Sequence, residues 1–231
     1  MSGPPPFSSA QEVRMNDDLA SARHDPPSDR SAAPLAPVGA RRHGPWTILT
    51  RTEAYRDPWV RVERDDVIRP DGLPGSYCVI HLKAGVTVIA VDDRGRVHLT
   101  REFHYGVGRV TVEGASGGID AGESPDEAAR RELREELGLE ARTWVDLGSV
   151  DPFTANVVSP TRLYLALGLT EVEAAPEGTE RIERVTMPLF QAVEEVLASR
   201  ITHAPSCLAI LRGALHLGIG LRRIGPDGGS E

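Results

Sequence analysis

Glu132, Glu135 and Glu136 place three carboxylates within five residues, directly behind a glycine-rich run. Oxygen ligands of that kind suit a hard divalent cation, which keeps several waters and bridges to phosphate groups. The full pattern is Gly117, five residues, Glu123, seven residues, then Arg131-Glu132-Leu133-Arg134-Glu135-Glu136-Leu137-Gly138-Leu139. On one helix edge such carboxylates repel by roughly 0.2–0.5 kcal/mol per adjacent pair, a cost a bound cation offsets. Glu-rich helices are also ordinary solvent-facing elements, and Arg131 with Glu135 has the spacing of a common i,i+4 ion pair. What sets this helix apart is Gly117-Gly118-Ile119-Asp120-Ala121-Gly122 before it, where glycines permit close backbone approach beside the acids.

The elements that must present these acids are legible locally. Ser124 suits an N-cap, Pro125 the first helical position, and Glu127 completes a capping box with Ser124. The helix is therefore expected over 125–137, with Gly138 taking the left-handed conformation that ends it. At about 100° per residue, Ala129, Leu133 and Leu137 form an apolar stripe and the three glutamates share the neighbouring arc. Arg130 and Arg134 point away from both.

Around this unit the chain alternates strand signals and turns. Trp46–Tyr55, Trp59–Ile68 and Ser76–Leu82 read as three antiparallel strands, the last two joined by the turn Arg69-Pro70-Asp71-Gly72. Val86–Val91 and Val97–Arg101 form a hairpin across Asp92-Asp93-Arg94-Gly95, and Leu163–Leu167 is a further apolar strand. Leu189–Ser199 and Ser206–Leu217 carry apolar residues at helical spacing. This order predicts an α+β fold, a mixed sheet held between helices and preceded by a small antiparallel β unit.

At Gly117 to Leu139 the chain resembles the Nudix hydrolase family, whose signature box it matches at every defining position. Trp46–Tyr77, Arg101-Glu102-Phe103-His104-Tyr105 and the stretch from Glu180 to about His216 are similar to its ADP-ribose and ADP-sugar pyrophosphatase branch. The resemblance implies Mg²⁺-dependent hydrolysis, with Mn²⁺ as an alternative, of the pyrophosphate bond in a nucleoside diphosphate linked to another group. ADP-ribose or an ADP-sugar, giving AMP and a sugar phosphate, is the substrate it points to first. Other nucleotide sugars or dinucleotides come second, and a noncatalytic nucleotide-binding regulator third. It implies Glu132, Glu136 and Glu135 as metal ligands, joined by the backbone carbonyl at Ser116. It implies catalytic roles for Glu135, Arg131 and Glu180, with Arg131 orienting Glu123 and the helix. Arg101, His104, Glu113 and Trp59 are the expected substrate contacts, His104 standing where relatives often carry Arg. Four segments follow: a disordered tail over 1–43, an N-terminal β unit over 44–82, the catalytic domain over 83–223 and a flexible tail over 224–231. In the resembled branch the β unit packs on a second subunit and completes the nucleotide pocket, which implies a homodimer.

The chain departs from that branch at Glu113-Gly114-Ala115-Ser116-Gly117, where Glu-Leu-Pro-Ala-Gly is usual. The same residues, read on to Gly118, fit the Gly-x-Ser-x-Gly elbow of serine hydrolases. An elbow needs a strand turning straight into a helix, with an acid and then a His later in the chain. Here the next helix starts only at Pro125, and His203 has no distinguished acid partner.

Composition agrees with a cytoplasmic enzyme. The chain has 231 residues, 40% of them hydrophobic, enough for a sizeable core, and a formal net charge of −8. Half of that charge lies between Gly117 and Leu139. An acidic balance so placed argues for a cation and against nucleic acid, whose phosphates require a basic face. Cys78 and Cys207 lack metal or redox spacing. No apolar stretch is long enough to span a bilayer. The first 43 residues are rich in Pro, Ser and Ala without apolar period, and their acids argue against a mitochondrial presequence.

Overall fold

The fold is described from a computed structural model, over residues 39–174 and 181–219. Glu180, the C-terminal tail and nearly all of the N-terminal tail lie outside the described residues. The elements in chain order are β1 (Arg41–His43), β2 (Trp46–Arg56), β3 (Val60–Ile68), β4 (Pro74–Leu82), β5 (Gly85–Val91), β6 (Arg96–His104), β7 (Arg109–Glu113) and β8 (Ala115–Gly118). After them come α1 (Pro125–Leu137), β9 (Leu139–Val150), β10 (Val157–Val158), β11 (Thr161–Glu171), β12 (Glu183–Pro188), α2 (Leu189–Leu197) and α3 (Ala204–His216).

Two sheets result. The first runs β1-β2-β3-β4-β10, antiparallel except where β10 joins β4 in parallel. Its pairing starts at Arg41, inside the segment expected to be a tail, because Arg41–His43 fold back on Trp46–Ile48. The second sheet is mixed, ordered β12-β6-β5-β11-β9, with β5 and β11 parallel and the other neighbours antiparallel. Short strands β7 and β8 pair with β6 and β5 respectively.

Strand β5 shows why this sheet lies between helices. Val86 through Val91 are all buried, the continuous apolar run of a strand covered on both faces. Alternation then divides the core. Val86, Val88 and Ala90, with Tyr164 and Ala166 of β11, pack against Ala129, Leu133 and Leu137 of α1. Ile89, Val91, Leu163 and Leu165 face the other way, against Leu189 and Val193 of α2 and Ala209, Ile210 and Ala214 of α3. The apolar stripe expected on α1 is the face it buries.

Helix α1 has the ends its residues dictate. Ser124 accepts from the Glu127 amide, the Glu127 side chain accepts from the Ser124 amide, and Gly138 sits at φ 60°, ψ 41°. Strand β9 carries weak alternation because Leu147 is extra in its pairing with β11: the register passes from Leu163–Gly148 to Tyr164–Asp146. A bulge of this kind breaks the period of two that marks a strand in sequence. Strand β12 is short and, among the described residues, pairs only with β6.

Leu133 is fully buried beneath the acidic edge of α1. Leu133→Ala should lower unfolding free energy by about 2–5 kcal/mol, read from the urea midpoint. A shift near zero would mean that this stripe does not anchor α1.

Candidate active site

The acids of α1 meet the strand β8 and the loop after it, and Arg131 joins them. Its Nε and Nη2 donate to the two oxygens of Glu123 at 2.9 and 3.0 Å, and Nη2 also donates to the Gly118 carbonyl at 3.0 Å. Its Nη1 donates to Glu132 at 2.7 Å and to Glu135 at 3.1 Å. Glu123 above all, then Glu132 and Glu135, raise the Arg131 pKa further, against the cost of burial. The guanidinium is thus a fixed charge tying loop to helix.

Glu132 is 8% exposed. Its neighbour explains Gly117: a Cβ added there would stand 1.8 Å from Glu132 Oε1 and 2.2 Å from its carboxyl carbon. Any other residue at 117 displaces the carboxylate. Glu136 accepts the Ser116 amide at 3.1 Å. In an extended strand the N–H and C=O of one residue point to the same side, so the Ser116 carbonyl shares the side of Glu136. Glu135 is more open, its side chain 28% exposed. Lys83 closes the loop from outside, pairing with Asp120 at 2.9 Å.

Among the described residues no group of three His, Cys, Asp or Glu side chains converges closely enough to hold a metal ion. The donor chemistry still fits one. Mg²⁺ takes one or two carboxylates and completes its shell with water and substrate phosphate. Glu132, seated in the space left by Gly117, and Glu136, beside the strand at Ser116, offer hard oxygens on one edge of a rigid helix.

The elbow reading is overturned here. Ser116 lies within β8, opposite Thr87, and its hydroxyl donates to the Gly114 carbonyl at 2.7 Å and meets Thr87 Oγ1 at 3.0 Å. Gly114 is required by packing instead, since a Cβ there would come within 2.7 Å of the Val88 carbonyl oxygen. His203 contacts Ser206 and Glu113, not Ser116.

The residues expected at the substrate divide. His104 and Glu113 meet, Nε2 to Oε1, at 3.2 Å. Arg101 lies on the opposite face of β6 and reaches Glu183 at 3.4 Å. Trp59 stands at the turn between β2 and β3, 70% exposed. Of the other aromatics, Trp46 packs edge-on against Tyr77 at 5.4 Å, whereas Tyr55, Phe103 and Tyr105 are exposed. Glu180 falls outside the described residues, so the structure places it nowhere.

Sequence reading missed two neighbours of this region. Thr87 touches Ser116, and His203 touches Glu113. The partners lie 29 and 90 positions apart in the chain, so no spacing marks either pair.

This geometry coincides with a match to the model of the NUDIX domain over residues 81–206, more than half of the chain. The chain belongs to the Nudix hydrolase family. Residues 46–80, which span β2 to most of β4, match the nucleoside diphosphate sugar hydrolase N-terminal domain. An ADP-ribose pyrophosphatase of Mycobacterium tuberculosis is 35% identical over 157 residues, covering 65% of this chain and 74% of the relative. A methanol dehydrogenase activator of Bacillus methanolicus is 26% identical over 155 residues, 65% of this chain and 83% of the relative. In fold, the crystal structure of an ADP compounds hydrolase superposes with a TM-score of 0.65 at 24% identity, covering 76% of this chain and 97% of the other. The Nudix fold thus accounts for the mixed sheet between helices.

Two predictions follow from the Arg131 cluster. Gly117→Ala should leave the thermal midpoint within a few degrees, because the atom in its way ends a flexible side chain, yet hydrolysis should fall about 100-fold or more. Unchanged activity would remove Glu132 from the site. The second concerns acid. Arg131 first, then the Asp120 amide, holds the Glu123 carboxyl below the usual carboxylate range. A lowered folded pKa gives stability that is complete above the unfolded value, about 4.3, and is lost as pH falls through the folded one. The thermal-midpoint gap between wild type and Glu123→Gln should therefore shrink on acidification from about pH 7 to about pH 2. A constant gap would assign the stabilisation to something other than charge.

Proposed function

We propose that this Nudix protein hydrolyses the pyrophosphate bond of ADP-ribose or an ADP-sugar, releasing AMP and a sugar phosphate, with Mg²⁺ or Mn²⁺ bound at the edge of α1. The observation that carries the reading is the seat of Glu132. A buried carboxylate held by Arg131, in space that only glycine at 117 leaves open, keeps negative charge where a cation offsets it. The substrate class draws on the pyrophosphatase name of the M. tuberculosis relative and on the N-terminal domain match.

In this reading Glu132 and Glu136 hold the cation, with the Ser116 carbonyl beside them. The bound ion supplies positive charge to the pyrophosphate and lowers the pKa of water. Arg131 is a positioning residue that keeps Glu132, Glu135 and the loop in register. Glu135, more open than Glu132, takes the proton from the attacking water, with Glu180 as the rival for that role. Water adds to one phosphorus and the bridging oxygen leaves with the other phosphate. His104 meets a substrate phosphate, and Arg101 and Trp59 serve the remainder of the substrate. The β unit over 44–82 joins a second copy of the chain, which the exposure of Tyr55 and Trp59 favours. Among the described residues no helix is long and apolar enough to cross a membrane. A second reading, another nucleoside diphosphate sugar, is favoured by the N-terminal domain match, which names the sugar class without a base.

Purified protein with Mg²⁺ should turn over ADP-ribose or ADP-glucose faster than NADH, diadenosine phosphates or nucleoside triphosphates, and excess chelator should stop it. No turnover of any would sink the proposal. Glu136→Gln should cut kcat by orders of magnitude with the fold intact, as loss of a charged ligand to the cation dictates. An unaffected rate would take Glu136 out of the site.

A further inference from the structure

Away from the α1 acids, one carboxylate is gripped from three elements. Glu113 ends β7, and its side chain is only 12% exposed. Its Oε1 accepts from the Thr111 hydroxyl at 2.6 Å and faces His104 Nε2 at 3.2 Å, while Oε2 faces His203 Nδ1 at 3.0 Å. A carboxylate only accepts, so both imidazoles turn an N–H toward it. Nδ1 of His203 also lies 2.8 Å from the hydroxyl oxygen of Ser206, which accepts the Gly114 amide at 2.9 Å.

These contacts do not make a nucleophilic triad. Ser206 and Glu113 meet the same ring nitrogen, and Ser206 is fully buried, whereas a triad uses opposite nitrogens and an open hydroxyl. Nor do they present a metal site, since each imidazole turns an N–H, not a lone pair, toward the shared carboxylate. What they do is fix directions. His104 is half-exposed and sits at the end of β6, with the turn to β7 beyond it. With Nε2 committed to Glu113, its ring plane is set and Nδ1 is the atom left for a ligand, donating to a phosphate when the ring is the imidazolium. Glu113 is held in turn by His203, the residue that opens α3. Burial lowers the His203 pKa, Glu113 opposing and His104 adding to the effect, which favours a neutral ring with one N–H to give.

The geometry points to His203 as a positioning residue for substrate binding: through Glu113 it orients His104 toward the substrate's phosphate. This rests on the functional reading above, in which His104 meets a phosphate. It joins α3 to the site across 90 residues of chain.

Steady-state kinetics on ADP-ribose with Mg²⁺ test it, using two substitutions that differ in which ring nitrogen they mimic. His203→Gln fills the space but offers nothing at the Nδ1 position, and should raise KM about tenfold with kcat within about twofold. His203→Asn returns an N–H near Nδ1 and should bring KM back toward wild type. In a His104→Ala background, His203→Gln should change KM no further, because the two act through one contact. An unchanged KM in a folded Gln variant overturns the proposal, as does an Asn variant that fails to restore it. So does a Gln effect of full size without His104, which would mean a general structural role. Wild-type protein inactive on every nucleoside diphosphate sugar overturns the functional reading and this inference together. Active wild type with a failed Gln, Asn or double-variant result overturns the inference alone.

Discussion

The guanidinium of Arg131 meets Glu123, Glu132, Glu135 and the Gly118 carbonyl at once, and the arrangement of the site depends on that one cation. Without it, three carboxylates and a carbonyl dipole would face each other across a loop of glycines. Planar geometry and several fixed donors let a single Arg satisfy acceptors in different directions, which the single ammonium of Lys does not. The pairing is local in sequence, all partners lying between Gly118 and Glu135.

Rigidity comes from below. Ala129, Leu133 and Leu137 bury one stripe of α1 against β5 and β11, which leaves the neighbouring arc facing β8. Strand β8 then does two things with few atoms: its Ser116 amide meets Glu136, and its Gly117 makes room for Glu132. The serine that departs from the usual pattern of the Nudix branch is thus accommodated by pairing sideways, with Thr87 and the Gly114 carbonyl. Backbone contacts, indifferent to side-chain identity, preserve the strand where the side chains differ.

The opposite face of the sheet contributes through helix α3. Its N-cap His203 and first-turn Ser206 touch Glu113 and the Gly114 amide at the corner between β7 and β8. The α1 acids and the Glu113 cluster are therefore built from opposite sides onto one short segment, Glu113 to Gly118. Movement of that corner would reach both.

Sequence alone determined helix α1 to its last residue, because cap, first-turn proline, apolar stripe and terminal glycine all act within a few positions of one another. It determined the arc of acids and the Nudix family for the same reason. Strands β2 to β6 were legible in their alternation and turns, while β9 was hidden by a bulge and β12 by its brevity. Tertiary structure decided what depends on distant segments. It set Arg101 against Glu183 of β12, placed Ser116 within a strand rather than an elbow, and brought His203 to Glu113. Local chemistry sets helix ends and side-chain periodicity, but contacts between residues 90 positions apart arise only when the sheet and its covering helices close on one core.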